Sequence, residues 1–368
     1  MNGHRKTITP PERTEPIVSR NSNISRATRK KRFRRRRLIA LSLLMIIIAL
    51  VLFLGWQVFR AINTAIATGE QNVSHPKETT VTTTTTTHAT MAANAQLSSP
   101  RILVYDLTHS ATLYSQNPEE RCYPASLTKL LTAIVATEAC QPDEVFTVGS
   151  ELSLVQPGSS KAFIESGYKL TRDMIIDAML MPSGNDAAYS IAAKVGRKLS
   201  GDPDISDLEA VFAFAERMNE KAIEIGAVNS HFSNPDGYFS PDHYTTTSDM
   251  LKIAKEALKY DNLRETFKKR KVTYKITSGQ TMTFNNSNRL LNPSNPYYFE
   301  GATGMKTGYT TESGHCVIAS AKRNGVEIIA VIMGGTTSNG RWADAVALLE
   351  DAFALHELTA PTTAVPAA

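Results

Sequence analysis

Apolar and polar positions divide the chain into three regimes. Leu38 to Phe59 runs 22 residues without a charge, between Arg37 and Arg60. At about 1.5 Å rise per residue this is long enough to cross a hydrocarbon core of roughly 30 Å, and it is apolar on every side. Residues 60–97 carry no apolar period. The Thr82–Thr87 run makes them a low-complexity, extended linker. From Pro100 the pattern becomes that of a packed domain. Ile102–Tyr105 and Thr112–Tyr114 predict a hairpin across a polar turn at His109 and Ser110. Leu127, Leu130, Leu131, Ile134 and Val135 follow the spacing of a buried helix face, entered just after Pro124.

Further helices are predicted over Thr171–Met181, Ala187–Leu199, Leu208–Ile225 and Ser248–Leu258, with a last one over Gly340–Leu355. Strands return at Val272–Ile276, Thr281–Phe284, Gly301–Tyr309, His315–Ser320 and Glu327–Met333. Strands at both ends with helices between them predict one mixed α/β domain over residues 98–357, followed by a Pro/Ala/Thr tail at 358–368.

Charge changes this picture only at the N-terminus. The formal net charge is +5, yet residues 1–37 hold 13 Lys+Arg against 2 Asp+Glu, and the remainder holds 27 against 33. The basic residues form an arm beside the apolar segment rather than a folded face, so a nucleic-acid partner is not expected. Arg34 to Arg37 place the arm in the cytoplasm and everything after residue 60 outside. The apolar run is longer than the 7–15 residues usual in a signal peptide, so an uncleaved membrane anchor is expected; cleavage after Ala65-Ile66-Ala67, releasing a secreted protein, is the alternative. Cys122 and Cys140 flank a helix too long for a disulfide to bridge, and Cys122–Cys316 stays open. The eight histidines show no H-x-x-x-H spacing, so a zinc site is not expected.

Candidate chemistry begins at Ser126-Leu127-Thr128-Lys129, where a serine heads the apolar helix and a lysine follows one turn later. A hydroxyl at a helix N-terminus lies in the field that favours an anion. A desolvated lysine beside it can act as base. This is the S-x-x-K arrangement of serine acyl transfer. Ser166-Gly167-Tyr168-Lys169 has the same spacing but starts no apolar helix. Ser183-Gly184-Asn185 falls between two helices after Pro182, and Lys306-Thr307-Gly308 lies on a strand bracketed by Gly304 and Gly308. Glycine in a strand often marks close approach of a ligand or of another backbone.

The ordered set S-x-x-K, S-x-N and K-T-G, each in its expected context, resembles the low-molecular-mass penicillin-binding proteins, specifically the serine-type D-alanyl-D-alanine carboxypeptidases. Asn234-Pro235-Asp236-Gly237, His243-Tyr244-Thr245-Thr246 and Asn117-Pro118 strengthen the resemblance, which covers residues 98–357. It implies a penicillin-binding/β-lactamase-like fold: a five-stranded antiparallel sheet flanked by helices, with a mostly helical subdomain. It also implies a peptidoglycan stem peptide ending in D-Ala-D-Ala as substrate, β-lactams as inhibitors, and no metal or other cofactor.

The resemblance extends to roles. Ser126 is the implied nucleophile, Lys129 the base and Ser183 the proton relay, while Asn185 holds the peptide and contacts Lys129. The N–H groups of Ser126 and Tyr309 are implied as oxyanion hole. Lys306, expected to stay charged, would face the terminal carboxylate with Thr307 and Gly308, assisted by Arg341. Many relatives begin with a cleaved signal peptide and continue into a β-rich domain with a C-terminal amphipathic helix, departures that leave the chemistry untouched. Two rival readings are a class A-like β-lactamase and a non-catalytic penicillin sensor or peptidoglycan-binding protein. The first needs an E-x-x-L-N stretch, which Glu216-Arg217-Met218-Asn219 does not supply.

Overall fold

The computed structural model describes Met91 and residues 96–359. The basic arm, the apolar segment 38–59, most of the linker and the tail beyond residue 359 lie outside the described residues. Among the described residues no helix is long and apolar enough to cross a membrane.

Strands β1 (Arg101–Asp106) and β2 (Ala111–Gln116) open the domain as the expected hairpin. They form one antiparallel sheet with β7 (Ala302–Thr310), β8 (Gly314–Arg323) and β9 (Val326–Gly335), in the order β2-β1-β9-β8-β7. The N-terminal hairpin thus pairs with the strand last in sequence, Arg101 opposite Met333, which closes the domain on itself. A short pair, β3 (Val145–Thr147) with β4 (Lys169–Thr171), and a hairpin, β5 (Lys271–Lys275) with β6 (Thr281–Asn285), stand apart.

The central strands are buried on both faces, which is why β9 reads as an unbroken apolar run instead of alternating. Ile328, Ala330 and Ile332 pack with Trp342, Ala345, Leu348 and Leu349 of α7 (Gly340–Thr359). Ile329, Val331 and Met333 face the opposite layer, which contains α1 (Lys129–Ala139), α2 (Arg172–Leu180), α3 (Asn185–Ser200), α4 (Asp207–Glu224), α5 (Thr247–Ala257) and α6 (Asp261–Lys268). The expected helices are present, most with boundaries shifted by a residue or two; the last runs four residues beyond the expected Leu355, to Thr359, and the first begins at Lys129. Helix α6 was not expected: in Asp-Asn-Leu-Arg-Glu-Thr-Phe-Lys only Leu263, Thr266 and Phe267 are buried, too few to mark a period.

Packing reaches beyond the expected N-terminal end of the domain. The Met91 N–H donates to Leu113 O (2.9 Å), and Met91 and Leu97 pack on the α7 layer. Ser98 bonds Asp344 through its N–H (3.0 Å) and its hydroxyl (2.9 Å). The three cysteines are free and buried, so the open Cys122–Cys316 bridge does not form; Cys122 Sγ instead lies 3.8 Å from Met333 Sδ.

Candidate active site

Ser126 does not begin the α-helix. It lies in a 3-10 turn, Ala125–Thr128, and Lys129 is the first residue of α1. Three residues per turn eclipse positions i and i+3, so the tighter coil lays Lys129 directly over Ser126. Lys129 Nζ is 2.8 Å from Ser126 Oγ. The competing Ser166–Lys169 stretch is a turn leading into β4, with Gly167 at φ +88°.

The amine is held on two further sides. Lys129 Nζ is 2.7 Å from Asn185 Oδ1 and 2.8 Å from the Asp236 carbonyl. A neutral amine has two N–H groups for these acceptors and a lone pair left to receive the Ser126 proton. Lys129 is fully buried, and desolvation draws its pKa down to about 8, opposed by the negative charges of Asp236 and Asp186. At neutral pH that leaves about a tenth of the lysine unprotonated, roughly 300-fold more than for a solvated lysine.

Asp236 was legible in the sequence only as part of Asn234-Pro235-Asp236-Gly237; its place beside the amine was not. Its Oδ2 accepts from Asn185 Nδ2 (2.5 Å) and its Oδ1 from the Tyr238 N–H (3.1 Å). Burial raises its carboxyl pKa while the Lys129 cation opposes the rise. The loop is fastened to the nucleophile segment twice. Thr132 Oγ1 donates to Pro235 O (2.6 Å), and Thr128 Oγ1 meets His243 Nε2 at 2.8 Å. Since the Ser233 N–H donates to His243 Nδ1 (3.1 Å), Nε2 carries the ring proton and donates to Thr128. Burial drives the His243 pKa down to about 3, so this tether is neutral. Gly237, at φ +84°, passes so close to the 3-10 turn that a Cβ there would sit 1.8 Å from Ala125 O.

The K-T-G strand crosses the same turn from the sheet. A Cβ on Gly308 would lie 3.2 Å from Ser126 N and 3.1 Å from Ala125 Cβ, so the missing side chain lets β7 run against the nucleophile backbone. Thr307 Oγ1 is 2.9 Å from Ser287 Oγ. Lys306 is buried, and its Nζ donates to Thr307 O (3.0 Å). Its surroundings oppose the charge expected of it. Burial lowers its pKa well below the usual lysine value, and the Lys129 and Arg341 cations push the same way. Of the two lysines, only Lys129 has carboxylates, Asp236 and Asp186, acting to raise its pKa.

Arg341, second residue of α7, turns inward: its Nη1 donates to Gly308 O (2.9 Å) and Cys316 O (3.1 Å), bracing β7 and β8 from behind. Ser183 is buried at φ +66° in the turn between α2 and α3, where Gly184 rather than Ser183 occupies the N-cap. Ser126, Asn185, Asp236 and Gly237 join Tyr309, Thr310, Tyr238, Phe239 and Ser160 around a cleft of about 420 Å³. Tyr309 stacks on His315 with centroids 4.3 Å apart. Lys129 and Lys306 are buried and do not themselves line it. Glu216, the nearest sequence match to a deacylating glutamate, is exposed on α4 and does not line the cleft.

Comparison with known proteins agrees with this geometry. The sequence profile of a family described as D-alanyl-D-alanine carboxypeptidase (peptidase S11) matches residues 84–337. The D-alanyl-D-alanine carboxypeptidase DacF of Bacillus subtilis is 32% identical over 251 residues, covering 67% of this chain and 59% of that protein. The D-alanyl-D-alanine carboxypeptidase of Streptomyces sp. strain K15 is 31% identical over 253 residues, covering 66% of this chain and 83% of its own length. The crystal structure of the Streptomyces K15 DD-transpeptidase superposes with a TM-score of 0.64 at 28% identity, covering 71% of this chain and 98% of that one. The D-alanyl-D-alanine carboxypeptidase DacD of Francisella tularensis gives a TM-score of 0.61 at 26% identity, over 71% of each chain.

Proposed function

The chain belongs to the D-alanyl-D-alanine carboxypeptidase family, and from that premise we propose that it removes the terminal D-Ala from peptidoglycan stem peptides ending in D-Ala-D-Ala, through an acyl-enzyme on Ser126 that penicillins also form. The observation that carries the reading is the 2.8 Å approach of Lys129 Nζ to Ser126 Oγ, with the amine buried and its pKa drawn toward neutrality.

In this mechanism Lys129 takes the hydroxyl proton as Ser126 Oγ attacks the penultimate carbonyl carbon. The N–H groups of Ser126 and Tyr309 stabilise the oxyanion. Ser183 passes the proton to the departing D-alanine, and Asn185 positions the peptide while holding Lys129. Water then hydrolyses the ester, releasing a peptide that ends in one D-Ala.

The terminal carboxylate of the substrate binds near Lys306 and Thr307. A carboxylate there stabilises the Lys306 ammonium, opposing the effect of burial. Arg341 acts by holding the Gly308 and Cys316 carbonyls, which sets the position of the strand that binds the substrate. Residues 38–59 serve as an uncleaved anchor in a bacterial cell membrane, with residues 1–37 inside and the catalytic domain outside.

Incubation with benzylpenicillin should add one acyl group by intact mass, lost in Ser126→Ala, and a D-Ala-D-Ala peptide should release free D-alanine. An adduct without peptide turnover would make the protein a penicillin sensor. An adduct that survives Ser126→Ala would remove Ser126 as nucleophile.

A further inference from the structure

Away from the cleft, the fold gathers three ligand-type side chains that the sequence keeps far apart. Asp106 ends β1, His109 lies on the β1–β2 turn, and His356 is in the last turn of α7. His109 Nδ1 is 2.7 Å from Asp106 Oδ2, and His356 Nε2 is 2.8 Å from the same oxygen. The three ligand atoms lie within 4.8 Å of one another. None of these residues lines the cleft.

The carboxylate is prepared in a way a plain surface ion pair is not. Asp106 is fully buried, and its other oxygen, Oδ1, accepts the His109 backbone N–H at 2.9 Å. That bond fixes the carboxylate plane and leaves Oδ2 turned toward both imidazoles, as an outer partner does for a metal-binding carboxylate. The two rings lie 5.1 Å apart, inclined by 22°. Zinc–nitrogen and zinc–oxygen bonds of about 2.0–2.2 Å place tetrahedral ligand atoms ~3.3 Å apart. The present separations from Oδ2 would open by roughly half an ångström, with the rings turning so that their lone pairs converge. His109 can make that adjustment, since its side chain is 46% exposed on a turn. The same exposure leaves room for water as a fourth ligand.

We propose that Asp106, His109 and His356 form a structural binding site for a divalent transition-metal ion of the zinc class, clamping the end of α7 to the β1–β2 hairpin. Two imidazole nitrogens with one carboxylate favour zinc, nickel or copper over calcium or magnesium, which take oxygen ligands. The ion replaces the imidazole N–H donors at Oδ2, each ring binding it through a nitrogen lone pair. It is independent of the proposed acyl transfer. The short spacings of the sequence could not show it, because His109 and His356 meet only when α7 packs across the sheet.

The test uses the full chain without a histidine tag, stripped of metal and dialysed against buffered zinc. One equivalent of zinc is expected, with affinity weakened at least ~10-fold by His109→Ala or His356→Ala. Zinc should raise the melting temperature of the parent and not of either variant. Cobalt in place of zinc should give visible d–d absorption that both variants lose. Penicillin acylation of the variants checks that they remain folded. The proposal fails if the parent retains no zinc at micromolar free ion, or if the double variant retains it equally.

Discussion

Asp236→Asn tests how the lysine base is tuned, because it removes a charge while keeping the shape of the side chain. The Asn185 amide bridges Lys129 Nζ (2.7 Å) to Asp236 Oδ2 (2.5 Å), which places the ammonium and carboxylate charges roughly 6 Å apart across the amide. At an effective dielectric of ~20 their attraction is about 2.8 kcal/mol, or ~2 pK units. Asp236 holds the Lys129 pKa up against burial, so its neutralisation should move that pKa downward from about 8. The acidic limb of the acylation profile reports the free enzyme's base. In the parent the second-order rate should fall below pH ~8, and at pH 6 reach about a hundredth of its plateau. In the variant the limb should move down by about one to two units, so that pH ~6 retains roughly a tenth or more of the plateau. The plateau itself will drop, since the amide that replaces the carboxylate cannot accept from both Asn185 and the Tyr238 N–H. Stopped-flow measurement with a fluorescent penicillin from pH 5 to 10 separates limb from plateau. A limb that stays in place or moves up refutes the reasoning. It would mean that Asp236 is uncharged, or that the base is Lys306, on which Asp236 is not among the acting groups.

Two further outcomes follow from the same geometry and from the N-terminal pattern. Gly237→Ala forces a side chain at φ +84° into the Ala125 carbonyl at 1.8 Å, so it should cost at least about 2 kcal/mol of stability and lower acylation with it; a melting temperature and acylation rate equal to the parent's would show that the loop yields freely. Protease added to intact spheroplasts should digest the region after residue 60 and spare an N-terminal tag on residues 1–37, whereas a mature N-terminus at Thr68 would establish cleavage instead.

Local information carried far here because the motifs sit where local rules operate. The period of Leu127 to Val135 marked a helix, and all five apolar residues are buried in the core. Pro182 ended α2, and the polar turn at His109 and Ser110 made a hairpin. The order of S-x-x-K, S-x-N and K-T-G identified the family before any coordinates, since residue type and spacing are properties of the chain itself.

What depends on distant segments was not legible. Ser126 lies in a 3-10 turn rather than an α-helix, and the Asp236-Gly237 loop, remote in sequence, passes close against that turn at Ala125. The protonation of Lys129 and Lys306 follows from burial and from which charges end up beside them; both are lysines in motifs, yet only Lys129 has a carboxylate close by. His243 could be read as part of a motif, but not as the neutral tether of Thr128. The cysteines stay free, and Asp106, His109 and His356 come together because the sheet pairs β1 with β9 and α7 packs across it. Sequence spacing encodes neighbours along one element; the energy of a buried charge depends on neighbours brought by several, and only the packed fold sets those distances.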